Sequence, residues 1–311
     1  MKYFLTGATG FIGGRIAKQL REAEHDVIAL VRSPKKAEDL KHLGVQLAEG
    51  DITDKESLRK PMAEVDGVFH VAGWYKVGAK DNSMAEAINV VGTRNVLEMM
   101  RELKIPKGVY TSTVAVFSHT HRHIVDESYH YDGPHVSKYD ETKWRAHYEV
   151  AEPMQKAGLP LVIVQPGLVY GPGDTSSVAQ NLRQYLLGRL PIAPKQTAFC
   201  WAHVDDVARG HILAMEKGRA GESYIICGQP MSFVGALAFC EWITGRKAPR
   251  VHLEPGIMDV MSKIMGFAGR VISLPESYTE ESLRVIAGTT YLASDAKARR
   301  ELGFSIRPLE E

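Results

Sequence analysis

Apolar residues in the first two-thirds of the chain fall into short runs separated by longer amphipathic stretches. The runs 3–5, 27–31, 45–47, 68–71, 109–112 and 161–164 are rich in Val, Leu, Ile, Tyr and Phe. Runs of this length and make-up predict strands, and those apolar on both faces predict a sheet covered on both sides. Between them the spacing changes from two to about three and a half. Ile12, Ile16 and Leu20 recur as on one side of a helix, as do Ile88, Val91, Met99 and Leu103 within 83–104. A further helical stretch fills 138–157 and is stopped by Gly158-Leu159-Pro160. Strand and helix in regular alternation predict parallel strands joined by crossover helices.

After Gln165-Pro166-Gly167 the rhythm breaks. Residues 171–199 are rich in Gly and Pro around a helical patch at 178–188. A return to the main sheet is expected over 200–227, with Tyr224-Ile225-Ile226-Cys227 as a strand, and 229–311 reads as short helices and loops. The expected organisation is one unit of residues 1–170 plus 200–228, with a smaller lobe of 171–199 plus 229–311 over the open strand ends.

Composition narrows the function classes. The 311 residues carry a net charge of +1, so no strong field draws the protein to nucleic acid or to a membrane surface. Cys200, Cys227 and Cys240 are scattered and odd in number, which speaks against a disulfide framework or a thiolate zinc site. No apolar run approaches the roughly 18 residues of a membrane span. The N-terminus enters the first strand directly, leaving no room for a signal peptide, and a cytoplasmic location is expected.

The first strand runs into a turn with Gly7, Gly10 and Gly13, and an amphipathic helix follows. Glycines there let backbone approach a pyrophosphate, and the helix start supplies N–H groups and the positive end of its dipole. The Gly-x-x-Gly-x-x-Gly spacing differs from the usual dinucleotide fingerprint.

The segment TGATGFIG (6–13) resembles the cofactor turn of the extended short-chain dehydrogenases/reductases. So do GDITD (50–54), HVAG (70–73), NVVGTRNVL (89–97), TSTVAVFS (111–118), Tyr139-x-x-x-Lys143, QPGLVYGPGD (165–174) and HVDDVARGHI (203–212). The likeness is strong over about 1–228 and weaker beyond, where SDAKARRELGF resembles the usual C-terminal segment. It implies an α/β fold: a Rossmann-type doubly wound parallel sheet with a smaller, mostly helical C-terminal substrate lobe. It places the dinucleotide against Gly7, Thr9, Gly10, Phe11, Ile12 and Gly13. Adenine falls near Asp51 and Ile52, and the ribose and phosphates near Val71, Ala72 and Gly73. Thr111, Pro166, Gly167 and Val169 fall near the nicotinamide, with Tyr139 and Lys143 also against the cofactor. The second strand ends in Arg32-Ser33-Pro34-Lys35-Lys36 where enzymes choosing NAD tend to carry an acid. Arg32 and Lys36 therefore favour the 2′-phosphate of NADP(H), with NAD(H) the alternative.

Tyr139 and Lys143, four apart on a helix, share one face. A free tyrosine is a poor base at neutral pH, and an adjacent ammonium is expected to lower its pKa. Tyr139 is the expected acid/base, and Lys143 also holds the nicotinamide ribose in the family. A carbonyl gaining charge needs a second donor, for which the resemblance gives Thr113, with Ser112 as fallback. Asn89 matches an asparagine that braces the lysine. Trp74, Tyr75, Phe117 and Tyr170 are expected around the substrate.

No acid follows Thr113, which speaks against sugar dehydration. Val116-Phe117-Ser118 looks like dihydroflavonol-reductase-type members. The expected activity is NADP(H)-dependent hydride transfer between nicotinamide and a ketone, aldehyde or alcohol. The alternatives are a nucleotide-sugar epimerase with tightly held NAD(P) and a non-catalytic NADP sensor. The family chemistry uses no metal, so His119, His121 and His123 are expected in a solvated or substrate-rim loop. Asp205 and Asp206 are expected to brace the fold. The Met258, Met261 and Met265 stripe is expected in the core, with an apolar lid as the alternative. A small-molecule substrate is expected, and a homodimer through 83–104 and 138–157.

Overall fold

Among the described residues of this computed structural model, 1–79, 81–268 and 279–309, the strands are β1 (Lys2–Thr6), β2 (Asp26–Val31), β3 (Gln46–Glu49), β4 (Gly67–His70), β5 (Gly108–Thr111), β6 (Leu161–Pro166), β7 (Leu168–Tyr170), β8 (Ile192–Pro194), β9 (Ala198–His203), β10 (Ser223–Ile226), β11 (Pro230–Ser232), β12 (Val251–Leu253) and β13 (Thr290–Tyr291). Seven of them form one sheet in the order β10-β6-β5-β4-β1-β2-β3. Each neighbouring pair in it is parallel. The chain winds outward from β1 toward β3, then returns to the other side of β1 and winds out through β4, β5, β6 and β10. That reversal opens a crevice at the carboxyl ends of β1 and β4, where ligands of open α/β sheets bind.

Side chains alternate between the two sheet faces. Leu5, Val27, Ala29 and Phe69 pack with Ile16 and Leu20 of the Phe11–Glu22 helix and Ile212 and Leu213 of the Val204–Lys217 helix. Phe4, Ile28, Val68 and Tyr110 pack on the opposite side with Leu58, Val96, Leu97, Met100 and Val150. No helix among the described residues is long and apolar enough to cross a membrane.

Both long helices on that second face carry a wide, π-helical turn. Ser83–Glu86 continues through Ala87–Gly92 into Thr93–Glu102, and Lys138–Arg145 continues through Ala146–Ala151 into Glu152–Lys156. The extra residue per wide turn rotates the buried face. Val91, read from the spacing as a core position, is 43% exposed, while Asn89, Val90, Gly92 and Thr93 are buried.

Of the stretch 200–227, β10 joins the main sheet but β9 does not. It pairs with β7, β11 and β13 in a second, four-stranded sheet beside the carboxyl end of β6. Strands β8 and β12 pair separately.

Candidate active site

The glycine turn sits at the open end of the crevice. Gly7 has φ +76°, and a Cβ there would lie 2.6 Å from the Ala72 nitrogen. A Cβ on Gly13 would come within 2.1 Å of the Gly7 carbonyl oxygen. Gly10 starts the Phe11–Glu22 helix without a side-chain cap or an acid in the first turn, and Thr9 and Gly10 are exposed. An uncapped helix start behind a backbone cradle fits the pyrophosphate of a dinucleotide. Gly13→Ala is expected to cost about 1–3 kcal/mol of stability and to weaken dinucleotide binding, read by thermal melting and cofactor titration.

Thr6 pairs with Leu30, so Arg32 leaves β2 beside that cradle. Arg32 and Lys36 are exposed and have no ion-pair partner among the described residues. Asp51 turns its carboxylate onto its own loop, accepting from the nitrogen and hydroxyl of Thr53 at 2.9 and 2.8 Å. Ile52 is buried against Gly92. Val71 and Ala72 both donate their backbone N–H to Thr6 Oγ1 at 3.1 Å, and Gly73 is exposed. Pro166 ends β6, and Gly167 is so close to Cys200 that a Cβ would lie 2.4 Å from its carbonyl oxygen. Val169 lies half-buried on β7.

Tyr139, Thr113 and Lys143 converge at the carboxyl end of β5. Thr113 stands two residues past that strand, and its Oγ1 accepts from the Ala115 nitrogen at 3.1 Å. Its hydroxyl also hydrogen-bonds the Tyr139 phenol, opposing the rise in that group's pKa. Ser112 is committed elsewhere: its Oγ lies 2.7 Å from His147 Nδ1. Lys143 Nζ donates to the Thr111 carbonyl at 2.8 Å and the Tyr110 hydroxyl at 3.2 Å. The expected lowering of the Tyr139 pKa by this ammonium is not what the geometry gives. Burial pushes the phenol up to about 12 and pulls Lys143 down to about 7, because the hydrogen bonds each group keeps do not make up for the water its charged form loses.

Asn89 clamps the loop after β4. It accepts from the Trp74 nitrogen at 2.8 Å and donates to the Trp74 carbonyl at 2.9 Å and to Thr142 Oγ1 at 3.0 Å. That clamp holds the chain after β4, so that the exposed Tyr75 reaches across to Thr175 at 3.2 Å and lies near enough to raise the Tyr139 pKa. Of the other expected substrate contacts, Phe117 is fully buried with its edge on Tyr129, so it belongs to the core. Tyr170 packs on His203 and Trp201. Asp206 is paired bidentately with Arg307 at 2.8 and 2.9 Å, and Asp205 lies 3.4 Å from Arg15. Among the described residues no three His, Cys, Asp or Glu side chains form a metal site, and His119 Nδ1 accepts from the Thr290 nitrogen. Met258 is buried while Met261 is exposed, so the methionines do not share a core face.

Sequence reading missed a buried polar chain beneath these groups. Thr6 Oγ1 already accepts two N–H groups, so it donates to His70 Nδ1 at 2.8 Å. His70 Nε2–H then donates to Thr93 Oγ1 at 3.0 Å. Burial holds His70 neutral, with its pKa down to about 3. Thr93 bonds Tyr110, which receives Lys143. Thr111 and Ser112 are held likewise by His211 at 2.9 Å and by His147. Also missed was Asp140, buried beside Tyr139. Its carboxyl is pushed up to about 7 by burial, and it accepts from Ser137 at 2.7 Å and Tyr291 at 2.9 Å. Finally, Glu281 bridges two sides of the site, accepting from the Gly78 nitrogen at 2.8 Å and from the Lys138 nitrogen that opens the catalytic helix. His70 ends the apolar strand β4, whereas His147 and His211 sit on helices, where nothing local marks them as partners of the strand-end hydroxyls. Glu281 has no local sequence signal.

Known proteins share this arrangement along nearly the whole chain. The "Putative dihydroflavonol 4-reductase" of Synechocystis sp. is 32% identical over 97% of this chain and 89% of its own. The 4-hydroxy-2-methyl-3-oxo-4-farnesyl-3,4-dihydroquinoline-1-oxide ketoreductase of Stigmatella aurantiaca is 30% identical over 99% and 92%. The crystal structure of gox2253 superposes with a TM-score of 0.85 at 30% identity, covering 99% of this chain and 94% of that one. The profile of the NAD dependent epimerase/dehydratase family matches residues 3–227. With the glycine cradle, the switch-point crevice and the Tyr-Lys pair in one place, the chain belongs to the NAD-dependent epimerase/dehydratase family of extended short-chain dehydrogenases/reductases, enzymes that work with NAD(P).

Proposed function

We propose that the protein is an NADP(H)-dependent reductase of an apolar ketone. One observation carries this reading. The Tyr139 phenol is shielded from water, hydrogen-bonds the Thr113 hydroxyl, and has its pKa raised further by the Asp140 carboxyl and by Tyr75. A site of that make-up suits a neutral organic carbonyl better than a sugar carrying a pyrophosphate. Two of the full-length relatives are named as reductases, one of them for a farnesylated 3-oxo compound.

When bound, the reduced nicotinamide supplies hydride. Hydride addition would leave an alkoxide, a stronger base than a phenolate, so Tyr139 gives its proton to that oxygen, forming the alcohol and leaving its own phenolate. Thr113 Oγ1 donates to the same oxygen as charge builds on it. In this reading Lys143, whose pKa burial brings down to about 7, returns a proton to the Tyr139 phenolate. Arg32 is assigned to the 2′-phosphate by charge-assisted hydrogen bonds.

Absorbance at 340 nm, with NADPH or NADH and a panel of alkyl and aryl ketones, aldehydes and nucleotide sugars, tests the proposal. Loss of NADPH with a ketone is the expected result. A nucleotide sugar inverted at one carbon with no net cofactor change would overturn it in favour of an epimerase. Arg32→Ala is expected to cut the NADPH-over-NADH preference about tenfold or more, measured as the ratio of kcat/KM values.

A further inference from the structure

The Ser177–Leu186 and Phe233–Thr244 helices end side by side, and their junction carries apolar and cationic side chains together. Tyr185, near the end of the Ser177–Leu186 helix, donates its hydroxyl to the Arg246 carbonyl just past the Phe233–Thr244 helix. A cleft lined by Tyr185, Gly188, Arg246 and Pro249 marks the contact. On this end Trp242 is 72% exposed, Leu187 59%, Ile243 53% and Leu186 47%. The Phe233–Thr244 helix, FVGALAFCEWIT, has one charged residue, Glu241, yet much of its last turn faces outward. A surface helix that is apolar nearly all round has no side suited to water, and a cluster of large exposed apolar side chains marks a contact surface.

Cations outnumber acids around the patch, where Glu241 is the acid of the helix and feels both Lys247 and Arg250. Arg183, Arg189, Arg246 and Arg250 are exposed, and none pairs with a carboxylate among the described residues. Glu241 is already engaged by Lys247 at 3.0 Å and by the Ala248 nitrogen at 2.8 Å. The whole chain carries only +1, so this is a local concentration rather than a general surplus.

We propose that this end of the protein docks on an anionic lipid surface. Trp242, Ile243, Leu186 and Leu187 enter the interfacial layer, and the four arginines face the headgroups. Apolar anchors rimmed by cations are what such a surface recognises. A second copy of the chain is a poorer occupant, because a twofold contact lays the same patch on itself and brings four guanidinium groups against four.

The test is co-sedimentation of the full chain with phosphatidylcholine vesicles and with vesicles containing phosphatidylglycerol, at low and high salt. Wild type is expected to pellet with the anionic vesicles, and less as salt rises. Trp242→Ser with Ile243→Ser, and separately Arg189→Glu with Arg246→Glu, are each expected to lower the bound fraction about tenfold. Both variants should keep the wild-type melting temperature and their turnover of a water-soluble ketone, which separates this proposal from the catalytic one. Failure of wild type to pellet with anionic vesicles overturns it, as does pelleting that both variants retain. So does a wild-type dimer in sedimentation velocity that the Trp242 variant loses, because the patch is then a contact between copies.

Discussion

Tyr139→Phe lowers turnover by about 10²–10⁴-fold and leaves dinucleotide binding unchanged: this is the largest effect expected from a single atom of the site. The ring remains to pack against the apolar cluster beside it, so the fold should not suffer. What is lost is the proton that burial holds on the phenol and that Thr113 orients. The proposed role demands that kcat fall while the affinity for NADPH, measured by its fluorescence, stays put. A variant that turns over within a few-fold of wild type removes Tyr139 from the reaction. A variant that also loses NADPH shows a structural role instead.

Lys143→Met has a double signature. Turnover should fall at least about a hundredfold, because Nζ is the group poised to return the Tyr139 proton. Stability should move the other way at low pH. Folding takes a lysine that binds its proton until about pH 10 in the unfolded chain and depresses its pKa to about 7. Between those values the unfolded state holds more protons than the folded one, so wild-type stability climbs as pH rises through that window. Below about pH 7 the full cost of a buried ammonium is present. Methionine carries no charge and no such cost. The difference in melting temperature, variant minus wild type, is therefore expected to be most positive near pH 6 and to shrink steadily toward pH 10. A difference independent of pH sinks the argument. The lost hydrogen bonds to the Thr111 carbonyl and Tyr110 subtract a constant from it and leave the slope alone.

The fold was legible because it is written locally. Apolar runs and glycine punctuation mark β1 to β6, and the switch point follows from their alternation. Tyr139, Lys143 and Thr113 were legible through short motifs whose spacing fixes a face or a strand end. What escaped depends on contacts distant in sequence or on a broken period. Ile88, Met99 and Leu103 do pack on the core, but Val91 falls outside it because a wide turn at Ala87–Gly92 shifts the helix register, which a fixed 3.6 spacing does not follow. Phe117 was assigned to the pocket from its place after the catalytic strand, but a short 3₁₀ turn over Val114–Phe117 points it into the core. The low pKa expected for Tyr139 counted the charge of Lys143 and left out the burial that both groups share. Asp140 went unread because its partner Tyr291 lies 151 residues later in the chain.

The Glu281 bridge sets an order of events during synthesis. Its carboxylate ties Gly78 and Lys138 across separations of 203 and 143 residues. Domains emerging from the ribosome fold from their N-terminal end, and contacts between distant segments form late. The seven-stranded sheet can assemble once β10 has been made, but the loop beside Tyr75 and the start of the Tyr139 helix gain this anchor only when residue 281 has left the ribosome. A nascent chain can thus form its dinucleotide cradle before its substrate side gains this anchor.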